Sequence, residues 1–124
     1  MVKIFIVDDE ESICETLTWL LEKEGHDITC TMTITRAKEI IKIENFDVYL
    51  IDLVLPGGDG IELIKLIRKL KKKGKIIVIT GYPNIPTLVD SIRLDTYDYI
   101  KKPINQNDLK TILKQINSYN KTNQ

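Results

Sequence analysis

Five side chains in this sequence could act together on one charged group, and each of them ends or follows a short apolar run. Asp8 and Asp9 close "KIFIVDD", Asp52 closes "FDVYLID", Thr80 closes "KIIVIT" and Lys102 closes "DYIKK". Asp52 is the most unusual, because Val48, Tyr49, Leu50 and Ile51 before it resemble a strand buried on both faces. An ionised side chain at the edge of a core loses hydration and needs a partner, a metal or a proton. If Asp8 and Asp9 lie beside Asp52, three carboxylates repel one another and call for a cation; oxygen ligands with open positions suit Mg²⁺. Thr80 offers a hydroxyl and Lys102 a point charge on a long stem, which together with a metal could neutralise an incoming phosphoryl group. A carboxylate beside a metal is a competent nucleophile for that group.

For these residues to meet, the chain must bring its strand ends to one edge. Runs rich in β-branched residues predict β1 at Lys3–Val7, β2 near Asp27–Thr31, β3 at Val48–Ile51, β4 at Ile76–Ile79 and β5 at Tyr97–Ile100. Segments of helical periodicity alternate with them. Helix α1 runs from the acids after β1 to a stop at Gly25, with Ile13, Leu17, Leu20 and Leu21 on one face and Trp19 on the other. Helix α2 spans about Thr35–Glu44 with Ala37, Ile40 and Ile41 inward, and α3 about Ile61–Lys72 with Leu63, Ile64, Ile67 and Leu70 available to the core and Gly74 as its stop. Helix α4 covers roughly Pro86–Leu94, and α5 follows "INQND" with Leu109, Ile112, Leu113 and Ile116 at helical spacing. Short connections through helices require parallel pairing and right-handed crossovers. The expected fold is α/β: a doubly wound (βα)5 flavodoxin-like sandwich whose parallel five-stranded sheet has the order 2-1-3-4-5. Sites in such sheets lie at the carboxyl ends of the strands, around the switch point between β1 and β3.

The bulk properties fit one such domain. At 124 residues the chain can bury a core without staples, and 18 basic against 18 acidic residues give no field that would draw it to nucleic acid or an anionic membrane. The opening "MVKIFIVDDE" meets acids too early for a signal peptide, and no apolar stretch is long enough to span a bilayer. Cys14 and Cys30 lack CxxC spacing and read as small core hydrophobes in a reducing, cytoplasmic compartment. His26, just past Gly25, reads as an exposed turn residue, and "RKLKKKGK" as a solvated basic surface closing a helix. Residues 119–124 read as a tail or the start of a linker after a domain of residues 1–118.

In order and spacing, "VDD" after β1, "DLVLPGGDG" after β3, "TG" after β4 and "KP" after β5 resemble the receiver domains of two-component response regulators. The resemblance covers about Met1 to Ser118. It implies that Asp52 is the phosphoacceptor, that Asp9 binds Mg²⁺ directly and Asp8 partly through water, and that the Val54 carbonyl completes the protein ligands. Thr80 and Lys102 would contact the phosphoryl oxygens, with the Val54 and Gly81 amides nearby. Tyr99 matches the switch aromatic, which turns inward as the Thr80 hydroxyl moves to the phosphate. Pro103 matches a proline usually preceded by a cis peptide, and Gly60 the glycine of the usual "DG". The family often has Gly-Ala where this chain has Asp95 and Thr96. Implied partners are a sensor histidine kinase or phosphotransfer protein as donor and an output domain, partner protein or second copy at the α4, β5, α5 face. The domain would assist its own phosphorylation and dephosphorylation without being an enzyme on other substrates. Val54 and Tyr82 would flank the approach of a hydrolytic water, and neither an acid nor an amide stands there, so slow dephosphorylation is expected.

Each residue also has a plainer reading. Asp8 and Asp9 could cap α1, Tyr99 could be a half-buried strand aromatic, and Trp19 could be either a partner anchor or a ring covered by lysine stems. Two other functions share parts of the pattern. A haloacid-dehalogenase-like phosphatase also uses an aspartyl nucleophile and Mg²⁺, but its DxD follows the first strand, where this chain has "VDDEES". A flavodoxin-like FMN carrier needs hydroxyls and glycine in its first loop, where adjacent acids would repel a phosphate.

Overall fold

Every residue of β3 (Val48–Asp52) is buried, because this strand is sandwiched between helical layers on both sides. It pairs in parallel with β1 (Lys3–Val7) on one side and β4 (Lys75–Thr80) on the other; β2 (Asp27–Thr31) lies outside β1 and β5 (Asp98–Lys101) outside β4. The order is therefore β2-β1-β3-β4-β5, as expected. The computed structural model describes residues 1–81 and 96–122; the expected α4, Tyr82, Pro83 and Asp95 lie outside them. Beyond β3 a short antiparallel pair, Val54–Leu55 with Gly58–Asp59, leads into α3.

Alternate residues of the continuous apolar strands face opposite layers. Phe5, Val7, Tyr49, Ile51, Ile76 and Val78 pack with Ala37 and Ile41 of α2 (Ile34–Ile43) and with Leu63, Ile64 and Ile67 of α3 (Gly60–Lys69). Ile4, Ile6, Leu50, Ile77 and Ile79 pack with Leu17 and Leu21 of α1 (Glu11–Lys23) and with Leu109, Leu113 and Ile116 of α5 (Gln106–Thr122). Phe5, Phe46 and Tyr49 form an aromatic trio in the first layer, Phe5 stacking on Phe46 at 4.9 Å with Tyr49 edge-on to both.

Several local expectations are corrected. Helix α3 ends at Lys69, short of Lys72; Lys71 adopts φ 56° and Leu70 is 40% exposed, so Leu70 does not join the core. Gly74 is not the helix stop but a point of close approach: a Cβ there would lie 2.5 Å from the Tyr49 ring and 2.4 Å from the Phe46 carbonyl oxygen. Helix α5 runs to Thr122, because no Gly or Pro interrupts "NSYNKT". Cys14 and Cys30 form a disulfide, with Cα atoms 6.0 Å apart. The crossover lays α1 against β2, which brings together cysteines 16 apart in sequence without any CxxC motif, and cysteine usage therefore gives no argument for a reducing compartment. His26 is half-buried rather than an exposed turn residue; its Nδ1 accepts the Val2 backbone N–H at 3.1 Å. Trp19 stays 65% exposed, with Lys23 Nζ 4.9 Å from its ring centroid.

Candidate functional site

The carboxyl ends of β1 and β3 carry Asp8 and Asp52, and both are buried. Parallel register sets them side by side: Val7 is level with Ile51, so Asp8, just past β1, adjoins Asp52, the last residue of β3. Asp9, exposed, is beside them. One carboxylate oxygen from each of Asp8, Asp9 and Asp52 lies within 4.8 Å of the others. The expected three-acid cluster is thus formed.

Lys102 reaches into this cluster from the end of β5. Its Nζ donates to Asp52 Oδ2 at 2.8 Å and to Glu10 Oε1 at 2.9 Å, and it pairs with Asp8 Oδ2 at 3.1 Å. Glu10 was not among the residues singled out by sequence. A glutamate inside "VDDEES" has the signature of a solvated helix-start acid, and only its nearness to Lys102 distinguishes it. Burial raises the pKa of Asp8, although the Glu10 amide and Lys102 oppose the shift. For Lys102 burial alone would lower the pKa, but hydrogen bonds to Asp52, Glu10 and Asp8 outweigh it and the value rises. The ammonium is held charged.

The backbone is equally committed. Asp52 Oδ1 accepts the Val54 N–H at 3.0 Å, which directs that amide at the carboxylate, while the Val54 side chain is 49% exposed. Asp8 Oδ1 accepts the Glu10 N–H at 2.9 Å; Glu10 itself occupies the N-cap of α1 and makes no side-chain cap bond. Asp8 thus makes a local turn just before the helix rather than a cap on it, and belongs to the cluster. Gly60 packs so tightly beneath the site that a Cβ would stand 2.3 Å from the Asp52 carbonyl oxygen. That explains why the "DG" turn needs glycine, with Asp59 Oδ1 capping α3 through the Ile61 N–H at 2.9 Å. Thr80 ends β4 fully buried, and its carbonyl accepts the Lys102 N–H at 2.8 Å. Gly81 follows it at the surface, the Lys102–Pro103 peptide is cis, and Tyr99 stands 50% exposed on β5.

The acids suit a hard divalent cation. Asp8 Oδ2 is buried and receives no hydrogen bond despite the nearby ammonium, which leaves a lone pair for a cation, and exposed Asp9 leaves the cluster open to water on one side.

A doubly wound parallel sheet with acids at its switch point and a lysine reaching in from the last strand defines an acidic phosphoryl-type site on a flavodoxin-like frame. Residues 4–114 match the response regulator receiver domain, and the chain belongs to that family. It is 32% identical over 117 residues to an NtrX-like response regulator of Rickettsia bellii, aligning 93% of this chain with 24% of that protein. It thus spans about a quarter of the length of that curated relative. Among solved structures it is similar to a CheY-like receiver domain protein from Methanospirillum hungatei (TM-score 0.88, 32% identity, 97% of each chain covered). It is also similar to the Thermotoga maritima response regulator TrrA in complex with Mg²⁺-BeF (TM-score 0.82, 33% identity, 94% of this chain and 99% of that one). The phosphatase and FMN-carrier alternatives gain no support from these relatives.

Proposed function

We propose that this chain is a phosphoacceptor switch in which Asp52 takes a phosphoryl group from a sensor histidine kinase or phosphotransfer protein. The observation that carries the reading is the setting of Asp52: a buried carboxylate with one oxygen on the Val54 amide and the other on Lys102, beside two further acids. A carboxylate oxygen of Asp52 forms the new O–P bond as the donor's bond to phosphorus breaks. Lys102 then follows the charge onto the phosphoryl oxygens, and the Val54 and Gly81 amides and the Thr80 hydroxyl share it. Asp8, Asp9, Asp52 and the Val54 carbonyl would hold Mg²⁺, which when bound neutralises charge on the transferred group. Movement of Lys102 and Thr80 toward the phosphoryl group carries the change to β5 and Tyr99, and from there to a partner protein, output domain or second copy on the face that includes β5 and α5. The receiver unit comprises residues 1–118, with residues 119–122 continuing its last helix, and it acts in the cytoplasm. No helix among the described residues is long and apolar enough to cross a membrane.

The test is incubation with a small-molecule phosphodonor and Mg²⁺ followed by intact-mass measurement. A Mg²⁺-dependent gain of one phosphoryl group is expected, lost in Asp52→Asn. An undiminished gain in that variant would place the acceptor elsewhere.

A further inference from the structure

The bridge between Cys14 and Cys30, the only two cysteines of the chain, ties α1 to β2, the edge strand of the sheet, and it does so where the acid cluster is anchored. Both of its ends hold the backbone of Asp8. Cys14 Sγ packs 3.7 Å from the Asp8 carbonyl oxygen, and the Cys14 N–H donates to the Glu10 carbonyl at 3.2 Å. On the β2 side, the Asp8 N–H donates at 3.2 Å to the carbonyl of Thr31, the residue after Cys30. The bridge therefore closes a ring around the Asp8 backbone. Asp8 is the most deeply buried acid of the cluster, and its Oδ2 is the oxygen left open to a cation.

The fold does not depend on this link. Two apolar layers cover the sheet, and Ile28 and Cys30 of β2 already pack against the layer that holds Leu17 and Leu21 of α1. A domain of this size buries enough apolar surface without a staple. In the cytoplasm proposed above, thiol pools reduce most disulfides, and those that do form are chiefly transient ones that serve redox chemistry or sensing. The bridge is also within reach of such thiols. Strand β2 has no outer neighbour in the sheet, Cys30 is half-buried, and Cys14 lines a groove with Glu15, Thr18, Trp19 and Glu22.

We propose that Cys14 and Cys30 are a reversible redox modification site that tunes the acid cluster, the bridged form binding Mg²⁺ more tightly than the dithiol. This rests on the reading of Asp8, Asp9 and Asp52 as the cation site. Reduction is an exchange with a small thiol such as glutathione: its thiolate attacks one sulfur of the bridge, the S–S bond breaks as a mixed disulfide forms, and a second thiol then displaces the protein sulfur. The protein gains two electrons and two protons, and the two external thiols leave as their disulfide. Oxidation by that disulfide is the reverse. In the dithiol, α1 and the edge strand are no longer tied. The loop that carries Asp8 and Asp9 then samples more arrangements, and the apparent Mg²⁺ affinity falls with the fraction that remains competent.

The test compares the whole ¹⁵N-labelled chain in its bridged and dithiol forms, each verified by alkylation and intact mass, with the double variant Cys14→Ala, Cys30→Ala as a form that cannot bridge. Glutathione buffers should interconvert the two parent forms, each unfolding in a single cooperative transition. Mg²⁺ titration followed by amide shifts should give a Kd about threefold or more higher for the dithiol and for the double variant than for the bridged form. In EDTA the Asp8 amide should exchange with solvent faster in the dithiol, a change that needs no metal. The proposal is overturned if glutathione reduces the bridge only when the chain unfolds, if the thiols stay unpaired in oxidised glutathione, or if the two parent forms bind Mg²⁺ with equal Kd. Absence of Mg²⁺ binding in both forms would remove the cation-site reading and this proposal with it. A Kd that differs between the forms in a chain that takes no phosphoryl group supports the redox site and counts against the phosphoacceptor reading alone.

Discussion

Lys102 is the counter-ion to three acids at once, pairing with Asp8, Glu10 and Asp52 at distances of 3.1, 2.9 and 2.8 Å. Its ammonium therefore competes with any divalent cation for the same carboxylates. Removing it leaves buried like charges with nothing to balance them, so Lys102→Ala should lower stability without metal by about 2 kcal/mol. The same variant should gain more from Mg²⁺ than the parent does, because the cation no longer has to displace an ion pair. Thermal unfolding with and without Mg²⁺ measures both effects. An equal Mg²⁺-induced rise in Tm for parent and variant would show that lysine and metal do not share the acids. Lys101, the exposed neighbour, should tolerate alanine with a change of about 0.5 kcal/mol or less.

The elements that gather these residues were legible because parallel β-strands buried on both faces leave continuous apolar runs, and every reactive residue stood where a run ended. What escaped the sequence depended on packing between elements. Cys14 pairs with Cys30 only because α1 lies on β2, and Glu10 joins the site only because Lys102 arrives from β5. The end of α3 was misplaced because Leu70 keeps the apolar period one step past the last helical residue, Lys69, and the real terminator is the backbone turn at Lys71. The turn into α3 offers a sharp comparison. A Cβ on Gly60 would meet the Asp52 backbone oxygen at 2.3 Å, whereas one on Gly58 would meet the flexible end of Glu62, at 2.7 Å, and the Ile34 methyl. Gly60→Ala should therefore cost about 2–3 kcal/mol and displace Asp52, reducing its phosphorylation, while Gly58→Ala should cost about 1 kcal/mol or less. Chemical denaturation and phosphoryl mass gain report the two consequences, and equal losses at the two glycines would contradict the contact geometry.

At the scale of the whole molecule, the strands run between two unlike edges, with the acids at their carboxyl ends and a lysine-lined cleft at the start of β3 and β4. The start of β1, on that same edge, is held by His26: the neutral ring's Nδ1 accepts the Val2 N–H, and Val2 is buried in the layer with α1 and α5. A protonated imidazole cannot accept that bond. Burial is the main cause lowering the His26 pKa below its usual 6.5; the N-terminal amine adds to the shift, and Glu24 opposes it. The unfolded chain therefore takes up the proton at a higher pH than the folded one. The stability contributed by the neutral ring is complete above pH 6.5 and declines as the pH falls from there toward the lowered folded value. The slope should stay well below one proton, since the ring is partly exposed and solvent screens it. Urea unfolding midpoints measured between about pH 7 and pH 5.5, above the main carboxylate range, should fall with pH for the parent. His26→Gln keeps an oxygen that can accept from Val2 and carries no titrating group, so its midpoint should stay level across that interval. A parent midpoint that is flat, or a variant that declines just as steeply, would show that the clamp at the start of β1 does not depend on the charge of this ring.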